Sequence, residues 1–505
     1  MTHDYVTKIL RARVYDAARE TPLELAPKLS SKLRSEVWLK REDLQPVFSF
    51  KVRGAHNKLA SLTADERAQG VIAASAGNHA QGVALAARKL GIRALIVMPK
   101  TAPRIKVEAV ERLGAEVLLA GESYDNARER AEVLATERGM ILVSPFDDEH
   151  IIAGQGTVGM EIVRQQGDPF DAIFVEVGGG GLIAGISAYI KSLWPETRVI
   201  GVEPHDSPTL HAALAAGERV VLERVGIFAD GVAVKQVGEE PFRVARECVD
   251  EVVLVSTDEI CAAIRDIFED TRAIAEPAGA LAVAGLKRYV EREGVNGGRF
   301  AAIVSGANVN FDRLRHIAQR AELGENRERL LAVTIPEHPG SLLRFCEQIG
   351  DRSITEFNYR YVGGTNAHIF VGLEVSDSAA DKRALVDGLE GNGYSVLDLT
   401  DNEMAKVHVR YMVGGHGPGE LDEVLYRFNF PERPGALLLF LSRMGAKPWN
   451  ITMFHYRNHG AAFGRVLIGL QVPSAERADF QSFLKEVGYE YREETENPAY
   501  RMFLR

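Results

Sequence analysis

Lys51 is the residue whose type and surroundings most directly suggest chemistry. It lies in the segment SFKVRGA (49–55), between an aromatic side chain and a nearby glycine. A lysine amine attacks an aldehyde well only when it is uncharged, and a partly desolvated cleft favours the uncharged form. The alternative is an ordinary surface lysine beside a turn, since most lysines are exposed. The segment predicts a covalent anchor for an aldehyde cofactor, provided that other segments complete the site.

A second segment, SAGNH (75–79), follows a predicted strand and precedes a predicted helix. Free N–H groups at the start of a helix bind anions, so we expect this loop to hold the carboxylate of a substrate. Its residues are Ser75, Ala76, Gly77, Asn78 and His79. A plain Asn or Ser helix cap would have the same sequence, and that is the structural alternative.

A third segment is a run of four glycines followed by a leucine: Gly178, Gly179, Gly180, Gly181 and Leu182. Glycines between a strand and a helix let the backbone approach a phosphate closely, so the run predicts a phosphate cradle. The same run also fits a dinucleotide fingerprint of the form G-x-G-x-x-A, with Glu203 ending the next strand. A nicotinamide-dependent oxidoreductase is therefore an alternative, although no dehydrogenase-type catalytic pair accompanies the run.

Ser305 ends a predicted strand at 301–304. Its hydroxyl can hydrogen-bond the pyridine nitrogen of a cofactor, but it cannot hold that nitrogen protonated as an aspartate would. A neutral ring is a weaker electron sink, which suits β-elimination better than transamination. The alternative is a routine serine at the end of a strand.

These segments together resemble the fold-type II, tryptophan-synthase-like pyridoxal-phosphate enzymes, and among them the serine/threonine dehydratases. The resemblance implies that Lys51 forms the Schiff base with pyridoxal 5'-phosphate and that Phe50 packs against its ring. It also implies that Asn78 bonds the phenolic oxygen of the cofactor and that Ser75 contacts the substrate. The segment EPAGA (276–280) is similar to a dehydratase segment too, but we assign no role to Glu276 or to His56.

The elements that must position these residues alternate between apolar strands and amphipathic helices over about residues 35–320. Near-continuous apolar runs are typical of parallel strands that are covered on both faces. The predicted strands are 71–74, 94–98, 116–119, 173–177, 199–202 and 301–304, and the predicted helices include 79–90, 103–113, 124–138 and 184–194. This alternation predicts an α/β architecture with doubly wound sheets in two lobes, with the site between them.

The carboxy-terminal part contains an internal duplication. IPEHPGSLL (335–343) returns as FPERPGALL (430–438), and ITEFNYR (354–360) returns as ITMFHYR (451–457). Matched segments in the same order indicate a repeat, and each copy reads as a ferredoxin-like sandwich whose first helix is opened by Pro339 in copy one. The pair resembles the ACT-like regulatory domains of biosynthetic threonine deaminases, although such modules can also serve only for dimerisation. The predicted domains are 1–320, a linker at 321–329, 330–401, a glycine-rich connector at 402–422, and 423–505.

Composition excludes several classes of protein. The chain has 505 residues, 46% of them hydrophobic and 26% charged, with a net charge of −10 and three scattered cysteines. No basic run favours nucleic acid as a partner, and no apolar run is long enough for a membrane span. The cysteine pattern predicts neither a disulfide framework nor a metal site. We expect a soluble, cytoplasmic protein without a metal.

The resemblance, which covers nearly the whole chain, implies a threonine ammonia-lyase of isoleucine biosynthesis. It implies conversion of L-threonine to 2-oxobutanoate and ammonia, and of L-serine to pyruvate. It further implies inhibition by isoleucine, an opposing effect of valine, and a homotetramer. A serine dehydratase or racemase of the same fold is the nearer alternative, and the nicotinamide-dependent oxidoreductase with a sensing tail is the distant one.

Overall fold

The computed structural model describes residues 2–497 apart from 101, 103, 122, 227, 326, 361–364, 377–378, 403–404, 406–421, 432–435, 446 and 458–462. The chain folds into two compact units, Met1–Gly324 and Glu325–Arg505. We call them the amino-terminal and carboxy-terminal units. The boundary lies inside the predicted linker, whose first residues end a helix and whose last residues begin a strand.

Two sheets form the centre of the amino-terminal unit. Its strands are β1 (Leu23–Leu25), β2 (Glu36–Arg41), β3 (Val71–Ala74), β4 (Ala94–Met98), β5 (Glu116–Leu119), β6 (Ile141–Leu142), β7 (Ala172–Glu176), β8 (Arg198–Pro204), β9 (Glu251–Val255) and β10 (Arg299–Val304). The larger sheet has the order β1-β2-β10-β7-β8-β9, and all of its pairs are parallel except β1 with β2. The smaller has the parallel order β5-β4-β3-β6. The prediction of two lobes built on parallel sheets is confirmed.

Helices connect the strands of both sheets. They are α1 (Thr2–Leu10), α2 (Pro27–Leu33), α3 (Lys51–Ser61), α4 (Ala64–Gln69), α5 (Asn78–Leu90), α6 (Arg104–Arg112), α7 (Tyr124–Arg138), α8 (Glu149–Gln165), α9 (Gly181–Leu193), α10 (Thr209–Ala216), α11 (Glu239–Cys248), α12 (Thr257–Thr271), α13 (Pro277–Glu293) and α14 (Leu314–Gly324). Strands β3, β4 and β7 are buried along their whole length, which explains why their sequences are continuously apolar.

Close approach of two helices explains the glycine in SFKVRGA. A Cβ on Gly54 of α3 would lie 2.8 Å from the carbonyl oxygen of Ile151 in α8, and a Cβ on Gly154 of α8 would lie 2.6 Å from the Cα of Gly54. Side chains larger than hydrogen at either position would force the helices apart. The glycine pair therefore fixes the depth of α3, which begins with Lys51.

A buried ionic cluster, made of Lys40, Glu42, Arg53 and Glu161, also holds α3 in place. All four side chains are fully buried. The Arg53 guanidinium donates to Glu42 Oε1 at 2.7 Å and to Glu161 Oε1 at 2.6 Å, and Lys40 Nζ donates to Glu161 Oε2 at 2.7 Å. Two cations and two carboxylates balance, so the cluster is neutral and rigid. Strand β2, which carries Lys40, was not predicted because its charged residues break the apolar pattern.

The carboxy-terminal unit consists of two similar halves that share one sheet. The first half contains β11 (Glu328–Pro336), α15 (Ser341–Ile349), β12 (Ile354–Arg360), β13 (Asn366–Glu374), α16 (Ala379–Gly391) and β14 (Ser395–Asp398). The second contains β15 (Glu423–Pro431), α17 (Ala436–Met444), β16 (Asn450–Arg457), β17 (Phe463–Gln471), α18 (Arg477–Val487) and β18 (Glu490–Glu493). The order of elements in each half is the predicted ferredoxin-like order.

The eight-stranded sheet has the order β14-β11-β13-β12-β16-β17-β15-β18, and the halves join through antiparallel β12 and β16. Pairing of these two edges leaves neither half with an open edge at the junction. The first helix begins at Ser341 with Gly340 as its N-cap, so Pro339 precedes the helix and does not open it as predicted. The glycine-rich Met412–Gly419 segment lies outside the described residues.

Candidate active site

Lys51 is the first residue of α3, and backbone contacts tie it to the segment that follows β10. The amide of Phe50 donates to the carbonyl oxygen of Ser305 at 3.2 Å, and Ser49 forms an isolated β-bridge with Gly306. Lys51 Nζ lies 5.1 Å from the centre of the Phe50 ring and donates to the carbonyl oxygen of Pro145 at 2.9 Å. Burial lowers the pKa of the Lys51 amine to about 8, so more of it is uncharged near neutrality than of an ordinary lysine.

The tetraglycine run forms a tight turn between β7 and α9. A Cβ on Gly178 would lie 2.9 Å from the Cα of Val232, and a Cβ on Gly179 would lie 2.1 Å from the Phe146 ring. Gly180 has φ = +89° and is the N-cap of α9. The turn tolerates no side chains, and its amides stand at the positive end of a helix dipole. This is the geometry of an anion cradle.

Asn78, the first residue of α5, belongs to a chain of polar side chains. Its Nδ2 donates to Glu276 Oε1 at 2.5 Å, and its Oδ1 accepts from Asn308 Nδ2 at 2.7 Å. Asn308 Nδ2 in turn donates to the carbonyl oxygen of Val47 at 2.9 Å. Because both ends of the Asn78 amide are engaged, the side chain has one fixed orientation at the wall of the site.

These segments meet at one cavity of about 430 Å³ in the amino-terminal unit. Its lining includes all but a few of the predicted residues: Phe50, Lys51, Asn78, Gly178, Gly179, Gly180, Gly181, Leu182 and Ser305. The cavity adds residues from other segments to which the sequence assigned no role: Phe146, Glu176, Gly231, Val232, Glu276 and Ala278. Since three ionisable side chains share this small space, the charge of each depends on the others.

The rest of the predicted carboxylate loop does not line the cavity, which takes in only Asn78 from this segment. The side chain of His79 is buried, and its Nε2 lies 3.0 Å from the carbonyl oxygen of Val143. Burial lowers the pKa of His79 to about 3, so the ring is neutral. A Cβ on Gly77 would meet open space, and the amide of Gly77 donates to Ser75 Oγ at 3.2 Å. The His79 side chain is therefore buried in the protein interior, whereas the backbone of the loop at Gly77 faces open space.

Glu176 and Glu276 are the ionisable cavity residues that sequence reasoning left without a role. Burial raises the pKa of Glu176 to about 8 and that of Glu276 to about 7. A signal for Glu176 was present, because it is the charged residue in an otherwise apolar strand directly before the glycines. For Glu276 the resemblance pointed to the segment, but the contact with Asn78 depends on the fold.

Glu203, the acidic residue of the dinucleotide interpretation, accepts hydrogen bonds from the first turn of α10. It is fully buried, and its carboxylate accepts hydrogen bonds from the amides of Leu210 and His211 at 2.8 and 2.9 Å. It also accepts from the Thr209 hydroxyl at 2.8 Å. A carboxylate occupied in this way has no place for a ribose, so the structure speaks against the nicotinamide alternative.

A second cavity, of about 390 Å³, lies in the carboxy-terminal unit where its two halves meet. The PEHPG turn of the first half forms one wall, and residues from α17 to the start of β16 form the other. Glu337 in this turn accepts hydrogen bonds from the Tyr359 hydroxyl at 2.7 Å and from Asn450 Nδ2 at 3.4 Å. The apolar lining is formed by Leu342, Leu343, Leu441, Met444, Trp449 and Ile451. A carboxylate beside an apolar wall suits an amino acid with an aliphatic side chain.

Among the described residues, no helix is long and apolar enough to cross a membrane, and no group of acidic, histidine or cysteine side chains is arranged to hold a metal.

Comparison with known families separates the two units in the same way. Residues 14–306 match the family of pyridoxal-phosphate dependent enzymes. Residues 319–409 and 414–504 each match the C-terminal regulatory domain of threonine dehydratase. The two regulatory matches correspond to the two halves of the carboxy-terminal unit.

Biosynthetic L-threonine dehydratases from two bacteria match this chain over nearly their whole length. The biosynthetic L-threonine dehydratase of Burkholderia multivorans is 56% identical, with 100% of this chain and 99% of that protein covered. The enzyme of the same name from Escherichia coli is 53% identical, with 99% and 97% covered. The processed form of threonine deaminase isoform 2 from Solanum lycopersicum is 48% identical over 64% of this chain and 88% of that one, with a TM-score of 0.63.

The cavity of the amino-terminal unit fits the cofactor that this family uses. A cradle that any Cβ would fill suits a phosphate group, and a buried lysine with a lowered pKa suits an aldehyde. The predicted fold, a fold-type II domain followed by two ferredoxin-like regulatory domains, is confirmed, and so is the dependence on pyridoxal phosphate. Full-length similarity to threonine dehydratases, which includes both regulatory halves, favours that family over the serine dehydratases and racemases. The chain belongs to the biosynthetic threonine dehydratase family.

Proposed function

We propose that this protein converts L-threonine to 2-oxobutanoate and ammonia in the cavity around Lys51. The observation that carries the proposal is the meeting of Lys51, whose pKa is lowered to about 8, with the glycine cradle in one cavity. In this reaction the α-proton and the β-hydroxyl leave as water, and hydrolysis of the resulting enamine releases ammonia. Bound pyridoxal phosphate supplies the electron sink that makes the α-proton removable.

We assign the residues that hold the cofactor as follows. Lys51 bonds its aldehyde, Phe50 packs against its ring, and Asn78 meets its phenolic oxygen. Ser305 meets the ring nitrogen. The amides of Gly178–Leu182 hold the phosphate, because they stand free at the start of α9 in a turn without side chains.

The substrate carboxylate is held by backbone amides of the loop 75–79, with Ser75 as a contacting hydroxyl. The Lys51 amine, when not bonded to the cofactor, would act as the base for the α-proton. Burial brings the pKa of its amine down to about 8, so the unprotonated form that a base for the α-proton requires is far more accessible near neutrality than in an ordinary lysine. The Lys51 amine therefore both anchors the cofactor and moves the proton.

L-Serine is a second substrate in this proposal. It differs from threonine by one methyl group, and such a contact is worth only about 1–3 kcal/mol of discrimination. Serine should therefore give pyruvate at a lower kcat/KM, without any change in the role of Lys51.

We further propose that isoleucine inhibits the enzyme by binding in the cavity of the carboxy-terminal unit. Valine opposes this inhibition by binding in the same cavity. Glu337 faces the ammonium group of the effector, and the apolar wall formed with Trp449 takes its side chain. Coupling of about 1–3 kcal/mol between the effector and substrate sites gives a 5–150-fold response. The functional form in this proposal is a cytoplasmic homotetramer, with catalysis in residues 1–320 and regulation in 330–401 and 423–505.

The experiment is release of 2-oxobutanoate from L-threonine by the purified holoenzyme, with and without isoleucine. Activity that isoleucine suppresses supports both parts of the proposal. Activity that isoleucine leaves unchanged removes the regulatory part, and absence of activity from a cofactor-loaded protein contradicts the catalytic part. A chain that ends at about residue 325 should be active and insensitive to isoleucine, provided that its sedimentation shows an intact assembly.

A further inference from the structure

Glu176 is a buried carboxyl group in the catalytic cavity to which the reaction assigns no role. It is the last residue of β7, and its exposed fraction is 4%. It lines the same cavity as Lys51 and Ser305. Within the described part of the chain, neither of its carboxyl oxygens has a hydrogen-bond partner. An ionised carboxylate without a hydrogen-bond donor would be costly in free energy at such a buried place. The group therefore either keeps its proton or accepts a hydrogen bond from a ligand.

The groups around Glu176 decide between these two states. Ser305 follows β10, the parallel neighbour of β7 in the sheet. Lys51 approaches from α3, and Glu276 from the start of α13. Burial raises the pKa of Glu176 most strongly and Glu276 raises it further, while the Ser305 hydroxyl, the backbone and Lys51 lower it, so that it stands at about 8. At neutral pH the side chain is a carboxylic acid.

Binding of a phosphate-bearing cofactor strengthens this state. The cradle at Gly178–Gly181 follows directly after β7, and a phosphate there brings negative charge close to Glu176. A nearby charge of the same sign favours the neutral form of an acid. The holoenzyme therefore holds the Glu176 proton at least as firmly as the protein without cofactor.

We propose that Glu176 is a positioning residue that donates its proton to the Ser305 hydroxyl and thereby turns the hydroxyl hydrogen toward the cofactor ring nitrogen. The inference rests on the proposed role of Ser305. A hydroxyl has one hydrogen and can accept as well as donate. When Ser305 Oγ accepts from a carboxylic acid, its own hydrogen is available to an unprotonated nitrogen. An ionised Glu176 would instead take that hydrogen and leave Oγ as an acceptor, which favours a protonated ring.

This arrangement gives Glu176 control over the outcome of the reaction. An unprotonated ring withdraws electrons weakly, so the site favours the rapid loss of a β-substituent over reactions that need a persistent carbanion. Glu176 lines the same cavity as Ser305 and acts through it in this proposal, so the consequence appears in the ring's protonation and in side reactions before it appears in substrate binding.

Infrared difference spectroscopy on the full-length holoenzyme tests the proposal without any assay of turnover. The spectrum of the wild type minus that of Glu176→Gln should contain the carbonyl band of a carboxylic acid at about pH 7, and the band should vanish with a midpoint at or above pH 8. The Ser305→Ala variant should shift this band, because the acid loses its acceptor. Glu276→Gln should leave the band in place, and it identifies any contribution from the second carboxyl group.

The visible spectrum of the bound cofactor is the second readout. Wild-type holoenzyme should show a spectral transition at the pH where the infrared band is lost, and both Glu176→Gln and Ser305→Ala should abolish it. Absence of an acid band from Glu176 at about pH 7 would overturn the proposal, since the residue would then be an ion-pair partner of Lys51. If the band responds to Ser305→Ala but the visible spectrum of the wild type shows no matching transition, the link between Glu176 and the ring is overturned. Threonine turnover by the wild type would be unaffected in that case, so this outcome differs from a failure of the proposed function.

Discussion

Glu161 and Glu176 are two buried carboxyl groups in the same unit, and they take opposite protonation states. Burial alone raises the pKa of either group. At Glu161 the guanidinium of Arg53 and the ammonium of Lys40 outweigh burial and lower the pKa. At Glu176 burial prevails and the pKa rises to about 8. The difference lies in the partners, because Glu161 receives five hydrogen bonds from charged and neutral donors and Glu176 has none among the described residues.

Residues that stabilise the fold around the site therefore differ in their partners from residues that line the cavity. Arg53 and Lys51 are two positions apart at the start of α3. Arg53 faces a closed, neutral cluster, where its charge pairs with Glu42 and Glu161 and stabilises the fold. Lys51 faces an open cavity whose two carboxyl groups have raised pKa values, so no closed ion pair holds its amine in the charged form. One helix start thus serves both purposes.

The largest expected effect is that of Lys51→Ala on catalysis. Turnover of L-threonine should fall by about 10⁴-fold or more, because the variant loses both the anchor and the base. Thermal unfolding of the cofactor-free protein should change little, since no buried ion pair is broken. Lys58→Ala is the matched control on the same helix, because Lys58 pairs with Asp148 away from the cavity. Retained turnover in Lys51→Ala would contradict the mechanism.

Arg53→Met should show the opposite pattern. The change leaves Glu42 and Glu161 buried without their main partner, and breaking a buried pair in this way costs about 3–5 kcal/mol in the free energy of unfolding. Denaturant unfolding of the holoenzyme, followed by a signal from the amino-terminal unit, measures the loss. The double variant Arg53→Met with Glu161→Gln should recover part of it. A loss below about 1 kcal/mol would mean that the cluster is not the anchor of α3.

Glu337 in the carboxy-terminal unit resembles Glu176 more than Glu161, because the hydrogen-bond donors shown for it, Tyr359 and Asn450, are neutral. Glu337→Gln should raise the isoleucine concentration for half-inhibition by about tenfold or more, the loss expected for one charged hydrogen bond. Glu347→Gln, at an exposed position on α15, the helix that follows the turn with Glu337, is the control. Equal isoleucine responses in the two variants would place the effector elsewhere.

The remaining expected effect is the pH dependence of stability at Glu176. Its folded-state pKa is raised, so its contribution is fully present below the unfolded value of about 4.5 and is lost as pH rises through about 8. The stability of Glu176→Gln relative to the wild type should therefore increase over this window, by at most about 1.4 kcal/mol per pH unit, and level off above it. Thermal unfolding of both proteins across this range provides the measurement. A difference independent of pH would show that Glu176 is ionised throughout.

Local sequence patterns predicted the parts of the site that depend on one segment each. The apolar strands, the glycine turn, Lys51 at a helix start and Ser305 after a strand are all positioned by neighbouring residues. Phe146 and Val232 reach the cavity only through packing of distant segments, so no local pattern marked them. For Glu276 the resemblance marked the segment, but its contact with Asn78 depends on the fold. The joining of β12 to β16 was equally unpredictable, because each half would show the same pattern with or without a partner at its edge.

The most direct test of the central claim is the chemical identity of the lysine that carries the cofactor. Borohydride reduction of the holoenzyme followed by proteolysis and mass spectrometry locates the pyridoxyl group on a single peptide. The account predicts that this peptide contains SFKVRGA and that the modified residue is Lys51. A pyridoxyl group on another lysine, with Lys51 unmodified, would contradict it.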